Sequence, residues 1–121
     1  MADHILRLVP MIKVVDVQRS IDFYAEFGFA VGDKVEDDKL RWAFLNTQKA
    51  NLMLSLEEQP KQDRALGVIL YLRTPDVVAL RQHLLARGVS VSEIEYPFYM
   101  PKGEVCVTDP DGFLLLIGQP E

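Results

Sequence analysis

The chain has 121 residues, 49% of them hydrophobic and 26% charged, and its 13 basic and 18 acidic side chains leave a net charge of −5. That composition suits one ordinary globular domain able to bury a core, and its acidity would on average repel a phosphate backbone, so nucleic acid is not an expected partner. The lone Cys106 excludes an internal disulfide, no apolar run reaches the length of a membrane span, and the opening MADHILRLVP lacks a signal-peptide core, so a cytoplasmic location is expected.

The first expected element is a strand over 8–15, an apolar run that stops at Asp16. Asp16 is a candidate helix N-cap, and Val17, Ile21, Tyr24 and Phe27 then recur at helical spacing until Gly28 ends the helix. Three strands follow near 30–36, 40–46 and 51–56, with a turn around Gln48, Lys49 and Ala50. The polar stretch EEQPKQDRA, with its proline, reads as a linker. The pattern then restarts. A strand over 68–73 leads to Asp76 as a cap, to Val77, Leu80 and Leu84 on a helix, and to Gly88 as its stop, where Arg87 complements the helix dipole. Strands near 89–95, 103–108 and 113–118 complete the second half, the last launched by the turn Asp109-Pro110-Asp111-Gly112.

The two halves form an internal repeat. VPMIKVVDVQRSIDFYAEFGFAV (9–31) lies over ILYLRTPDVVALRQHLLARGVSV (69–91) at a shift of 60. Asp16 falls on Asp76, Val17 on Val77, Gly28 on Gly88, Val31 on Val91 and Lys13 on Arg73. The expected fold class is therefore α+β, with two βαβββ modules forming curved, cup-like mixed sheets and helices on the outer face. The modules span about 5–56 and 67–118 of a single domain, 1–121, joined by a linker at 57–66.

VVDVQRSIDFYAEFGF and VTDPDGFLLLIG resemble the two signatures of the glyoxalase/bleomycin-resistance/extradiol-dioxygenase group, the vicinal oxygen chelate superfamily. The resemblance covers nearly the whole chain and is closest to the bleomycin-resistance-like branch. It implies the paired βαβββ fold but leaves activity open, because the superfamily spans isomerases, dioxygenases, antibiotic-modifying enzymes and antibiotic-binding proteins. In its metal-dependent members, ligands sit seven residues before each capping Asp, typically His, and four after each turn Gly, typically Glu. Those counts lead here to Val9, Ile69 and Leu116, and to Leu54 when Ala50 stands in for the missing Gly. All four are aliphatic and have no lone pair to give a cation. No metal and no other cofactor is expected.

Strand parity places Met11, Lys13, Tyr71 and Arg73 on the same face as Val9 and Ile69. Lys13 and Arg73 read either as solvated strand-end cations or as a cationic pair at a cavity mouth that attracts an anionic or aromatic ligand. Trp42 and Phe44 share one face of their strand, with Arg41 and Ala43 on the other. Tyr96, Phe98 and Tyr99 lie in EYPFYMPKGE, whose prolines and glycine suit an irregular segment over a cavity. Glu104 matches an acidic position of the bleomycin-resistance-like branch, readable as a general base or as a salt-bridged strand residue. Cys106 reads as a small buried hydrophobe, and His4 and His83 as surface residues that nothing brings together.

The leading expectation is a metal-free small-molecule-binding protein, sequestering an aromatic or amphipathic compound and paired as a homodimer. Its apolar cavity would be lined by Val9, Met11, Leu54, Ile69, Tyr71 and Leu116, with Trp42, Phe44 and Tyr99 giving shape. Lys13, Arg41, Arg73 and Glu104 would supply its polar contacts. The competing expectations are a lyase, isomerase or dioxygenase with a metal at non-standard positions, and a non-catalytic structural module.

Overall fold

Both helices begin where an aspartate turns its carboxylate back on the chain. In the computed structural model, which describes residues 4–59, 65 and 67–121, Asp16 accepts from the Arg19 backbone N–H and Asp76 from that of Ala79, both at 3.0 Å. Each bond satisfies a donor that the first helical turn leaves over. The helices α1 (Val17–Ala25) and α2 (Val77–Ala86) follow directly. Gly28 and Gly88 then adopt φ of 95° and 80°, a left-handed turn costly for a side chain with Cβ. That turn lets the Phe29 N–H return to the Tyr24 carbonyl at 3.2 Å and the Val89 N–H to Leu84 at 2.9 Å.

The chain divides into two compact units, one up to residue 60 and one from residue 61. Residues 60–64 and 66 of the expected linker lie outside the described residues. In the first unit β1 (Met11–Val14), β2 (Ala30–Glu36), β3 (Leu40–Asn46) and β4 (Asn51–Leu56) form a sheet in the order β1-β4-β3-β2. The β1–β4 pair is parallel and the others antiparallel. In the second unit β5 (Ile69–Arg73), β6 (Glu104–Thr108) and β7 (Leu114–Gly118) form the order β5-β7-β6, with β5 parallel to β7. Two helices and two mixed sheets make the α+β architecture expected of two βαβββ modules. β1 starts only at Met11, because Pro10 has no N–H to give the ladder.

Alternation along the strands separates core from surface. In the first unit Ile12, Val14, Ala43, Leu45, Leu52 and Leu54 are buried, together with Val17 and Tyr24 of α1, which packs on β2, β3 and β4. In the second unit Val105, Val107, Leu115 and Ile117 are buried together with Val77 and Leu84 of α2, which touches β6. Each large apolar side chain so buried contributes about 1.5–3 kcal/mol. The turn into β7 is tied by Asp109, whose Oδ1 accepts from the N–H groups of Asp111 (2.9 Å) and Phe113 (2.8 Å) in a buried setting.

One expected element is absent. Residues 89–95 form no strand; besides hydrogen bonds at Ser92 they meet β6 at an isolated antiparallel bridge between Glu95 and Glu104. The reason is Ser92. Its N–H donates to the Cys106 carbonyl at 3.1 Å, but the Cys106 N–H donates to the Ser92 hydroxyl at 2.8 Å, where a regular ladder would use a backbone carbonyl. From 92 to 95 the segment then spends one residue more than β6 does from 106 to 104, as a bulge would.

Candidate functional site

Each sheet has one face in the core and a second, open face, and the pairing register says which side chains share it. On the first unit's open face Met11, Met53 and Phe44 form one row, and Lys13, Ser55 and Trp42 the next. The Trp42 and Phe44 rings lie 6.4 Å apart, tilted by 46°. On the second unit's open face the rows are Ile69, Leu114 and Thr108; Tyr71, Leu116 and Cys106; Arg73, Gly118 and Glu104. The unbroken run Phe113–Ile117 is thereby accounted for. Phe113, Leu115 and Ile117 are buried, while Leu114 and Leu116 are half-buried on the open face.

Glu104 is the chemical centre of that face. It is 8% exposed, and both its oxygens are engaged by phenols: Tyr71 donates to Oε2 at 2.5 Å and Tyr99 to Oε1 at 3.2 Å. The Tyr71 hydroxyl is pushed up to about 12, first by that hydrogen bond and then by desolvation. Ionisation would remove the donor and set a phenolate beside a carboxylate. Tyr99 is raised as well, by desolvation first and by Glu104 second.

Tyr99 reaches Glu104 from the irregular segment between Pro97 and Gly103, and Met100 pins that segment down. Met100 is buried over Gly118, where a Cβ would meet its Cγ, Sδ and Cε at 2.9–3.0 Å. Phe98, 94% exposed, stands edge-on to Tyr99 with ring centroids 5.5 Å apart. Arg73, Phe98, Tyr99, Met100, Pro101 and Pro120 line a groove of about 310 Å³ that Glu121 also borders. Arg73 makes no hydrogen bond or ion pair among the described residues.

The structure thus gathers Ile69, Tyr71, Arg73, Tyr99, Glu104 and Leu116 in one unit, and Met11, Lys13, Trp42 and Phe44 in the other. Val9 precedes β1 and is half-buried. Two expected residues do not belong. Leu54 is fully buried on the helix side of β4, and Met53 takes the open-face position opposite Met11, as Leu116 does opposite Tyr71. Four residues separate β3 from β4, but five separate β6 from β7, so a count from the turn lands one residue late and on the wrong face. Arg41 is the second misfit. It shares the helix-side parity of Ala43, and its guanidinium is held by Asp37 at 3.0 Å, Asp38 at 3.1 Å and Glu58. Those bonds hold Arg41 above the usual guanidinium range, while Asp37 lies well below the usual carboxylate range, through Asp38 first, then the Lys39 N–H and Arg41.

Cys106 also departs from expectation. It is half-buried on the open face beside Leu116, not in the core. Sequence reasoning had no sign of the Tyr71–Glu104–Tyr99 contact, because the partners meet only across a sheet and a loop. Met53 was detectable, since alternation through Leu52 and Leu54 puts it on the opposite face.

The residues do not fit a superfamily metal site. Val9, Met53, Ile69 and Leu116 offer no imidazole or carboxylate, and Glu104 is committed to two phenols. No group of three or more His, Cys, Asp or Glu among the described residues is placed to hold a metal ion. No described helix is long and apolar enough to cross a membrane.

A family model, Glyoxalase/Bleomycin resistance protein/Dioxygenase superfamily, matches residues 2–117. The chain belongs to this superfamily. No curated relative matches it. Among solved members, an antibiotic-binding protein, TnmS3 from Streptomyces sp. CB03234, is 26% identical, with a TM-score of 0.78 over 99% of this chain and 100% of that one. A bleomycin-binding protein from Streptomyces verticillus, solved with copper(II)-bleomycin, is 23% identical, with a TM-score of 0.75 over the whole of both chains. The bleomycin resistance determinant of transposon Tn5 is 20% identical, with a TM-score of 0.76 over 95% of this chain and 98% of that one. The last two share the superfamily fold with this chain.

Proposed function

We propose that this member of the superfamily binds a small aromatic or amphipathic compound without a metal, and sequesters it rather than transforming it. The observation that carries this reading is the open face of the second unit. Ile69 and Leu116, at positions where metal-dependent members place ligands, present aliphatic surface beside Tyr71, and the carboxylate on that face, Glu104, is held by tyrosines. Mostly apolar surfaces with few polar anchors are typical of ligand sites. The likeness to TnmS3, described as an antibiotic-binding protein, supports the same reading. The open face of the first unit, with Met11, Lys13, Trp42 and Phe44, is a second candidate ligand surface by itself. Met11, Val31 and Val35 in one unit and Ile69 and Tyr71 in the other are exposed apolar side chains, which supports a homodimer that covers part of this surface. A single free cysteine suits a cytoplasmic setting.

The test is a thermal-shift screen of aromatic and amphipathic antibiotics, bleomycin among them, with elemental analysis of protein purified without chelator. A ligand at 100 times its Kd raises stability by about 2.7 kcal/mol, which such a screen detects. The expected result is stabilisation by at least one compound, with iron, manganese, cobalt, nickel and zinc all far below one equivalent. One equivalent of such a metal, or no stabilisation by any compound, would overturn the reading.

A further inference from the structure

The hydrogen-bond inventory around Glu104 has a direction. An ionised carboxylate only accepts, whereas a phenol has one proton to donate and lone pairs with which to accept. Tyr71 and Tyr99 both spend that proton on Glu104, one on each oxygen. Each hydroxyl keeps only its lone pairs. Both residues remain reachable, Tyr71 at 43% and Tyr99 at 53% exposure. A molecule lying against them meets oxygen acceptors at the edge of aromatic surface.

We infer that the Tyr71–Glu104–Tyr99 cluster makes this face selective for aromatic ligands that donate a hydrogen bond, an amide or amine N–H, over ligands of the same shape that only accept. The inference rests on the reading of this face as a ligand surface and names the chemistry that the surface takes. An acceptor on the ligand is served only if a tyrosine turns its proton away from Glu104. The carboxylate, 8% exposed, then loses a partner in a setting where water does not replace it. A donor needs no such rearrangement, because each phenol oxygen keeps lone pairs to offer it. Glu104 acts here through the tyrosines and is a positioning residue. The opposing chemistry is Arg73, which stands across Gly118 from Glu104 and lines the groove beside Tyr99. An anionic ligand would be drawn to its guanidinium, so the two groups favour different ligand classes.

Three probes with one ring system separate these effects: 2-naphthamide, methyl 2-naphthoate and 2-naphthoate. The amide and the ester share a carbonyl and differ in the N–H. Titration followed by calorimetry, with NMR shifts of residues 71, 99 and 104–106 to locate binding, should give the amide an affinity about tenfold above the ester, the worth of one hydrogen bond to a charge-linked group. In Glu104→Gln one oxygen becomes an NH2 donor, which frees the proton of the tyrosine facing it while the other still donates to the amide oxygen, so the ratio should fall to about threefold or less. Tyr99→Phe removes one of the two acceptors, and with it the donor to Glu104 Oε1, while the Tyr71 bond to Oε2 stays; it should narrow the ratio in the same direction. Ligand-free titration of the phenols at 295 nm checks the premise independently, since Glu104→Gln should let Tyr71 ionise at lower pH. Equal binding of amide and ester, tightest binding by naphthoate, or unchanged phenol titration overturns the inference while leaving a ligand surface in place. Binding of none of the three removes the ligand surface and the inference with it.

Discussion

Met53 and Leu54 are adjacent on β4 and point to opposite faces, so truncating each to alanine separates the core from the open face. Leu54 has no exposed surface and is paired with Ile12 on one side and Ala43 on the other, beneath α1. Removing its isobutyl group takes buried methyl and methylene carbons from a packed layer and leaves a cavity that a sheet cannot close. Leu54→Ala should cost about 2–5 kcal/mol. Met53 is half-buried, with Met11 and Phe44 as its row neighbours on the face opposite Leu54. Met53→Ala should cost about 1 kcal/mol or less, within the range of a partly exposed site. Urea denaturation of both variants measures the difference, and an unchanged m-value shows that it reflects stability and not a change in the unfolded chain. The binding readout should run the other way, with Met53→Ala weakening a ligand found by thermal shift and folded Leu54→Ala sparing it. Equal costs, or a larger cost at Met53, would refute the assignment of faces and with it the open-face rows of the first unit.

Asp109→Ala should cost about 1–3 kcal/mol, because it strips a buried turn of the acceptor shared by the Asp111 and Phe113 N–H groups. Asp109→Asn, which keeps one oxygen, should cost less in the same denaturation assay. Tyr71 gives a pH signature. Its phenol titrates near 12 in the folded protein and near the ordinary value of 10 when unfolded, so its contribution is complete below pH 10 and disappears as pH rises through 12. The stability advantage of the wild type over Tyr71→Phe should therefore shrink between pH 10 and 12; an advantage that grows over that interval would contradict the Glu104 contact.

The sequence by itself determined the features that depend on a few adjacent residues. The aspartate caps and glycine stops of α1 and α2 were legible because a helix end is decided within one turn. The repeat at a shift of 60 was legible because each half carries the same signals in the same order. The absence of imidazole or carboxylate from the superfamily's metal positions needed only residue identity, and it survives the move from Leu54 to Met53. Tertiary structure decided what depends on register and on distant partners. A turn shorter by one residue sent Leu54 into the core, because strand side chains alternate and a single step reverses the face. Ser92 replaced a backbone acceptor with its hydroxyl and left 89–95 without a ladder, a choice that propensity does not encode. Arg41 was claimed by Asp37, Asp38 and Glu58, the last of them 17 residues away. Tyr71 and Glu104, 33 residues apart, met only because β5 and β6 flank β7. That contact and the one from Tyr99 commit both phenol donors to Glu104, since a carboxylate accepts hydrogen bonds and has none to give.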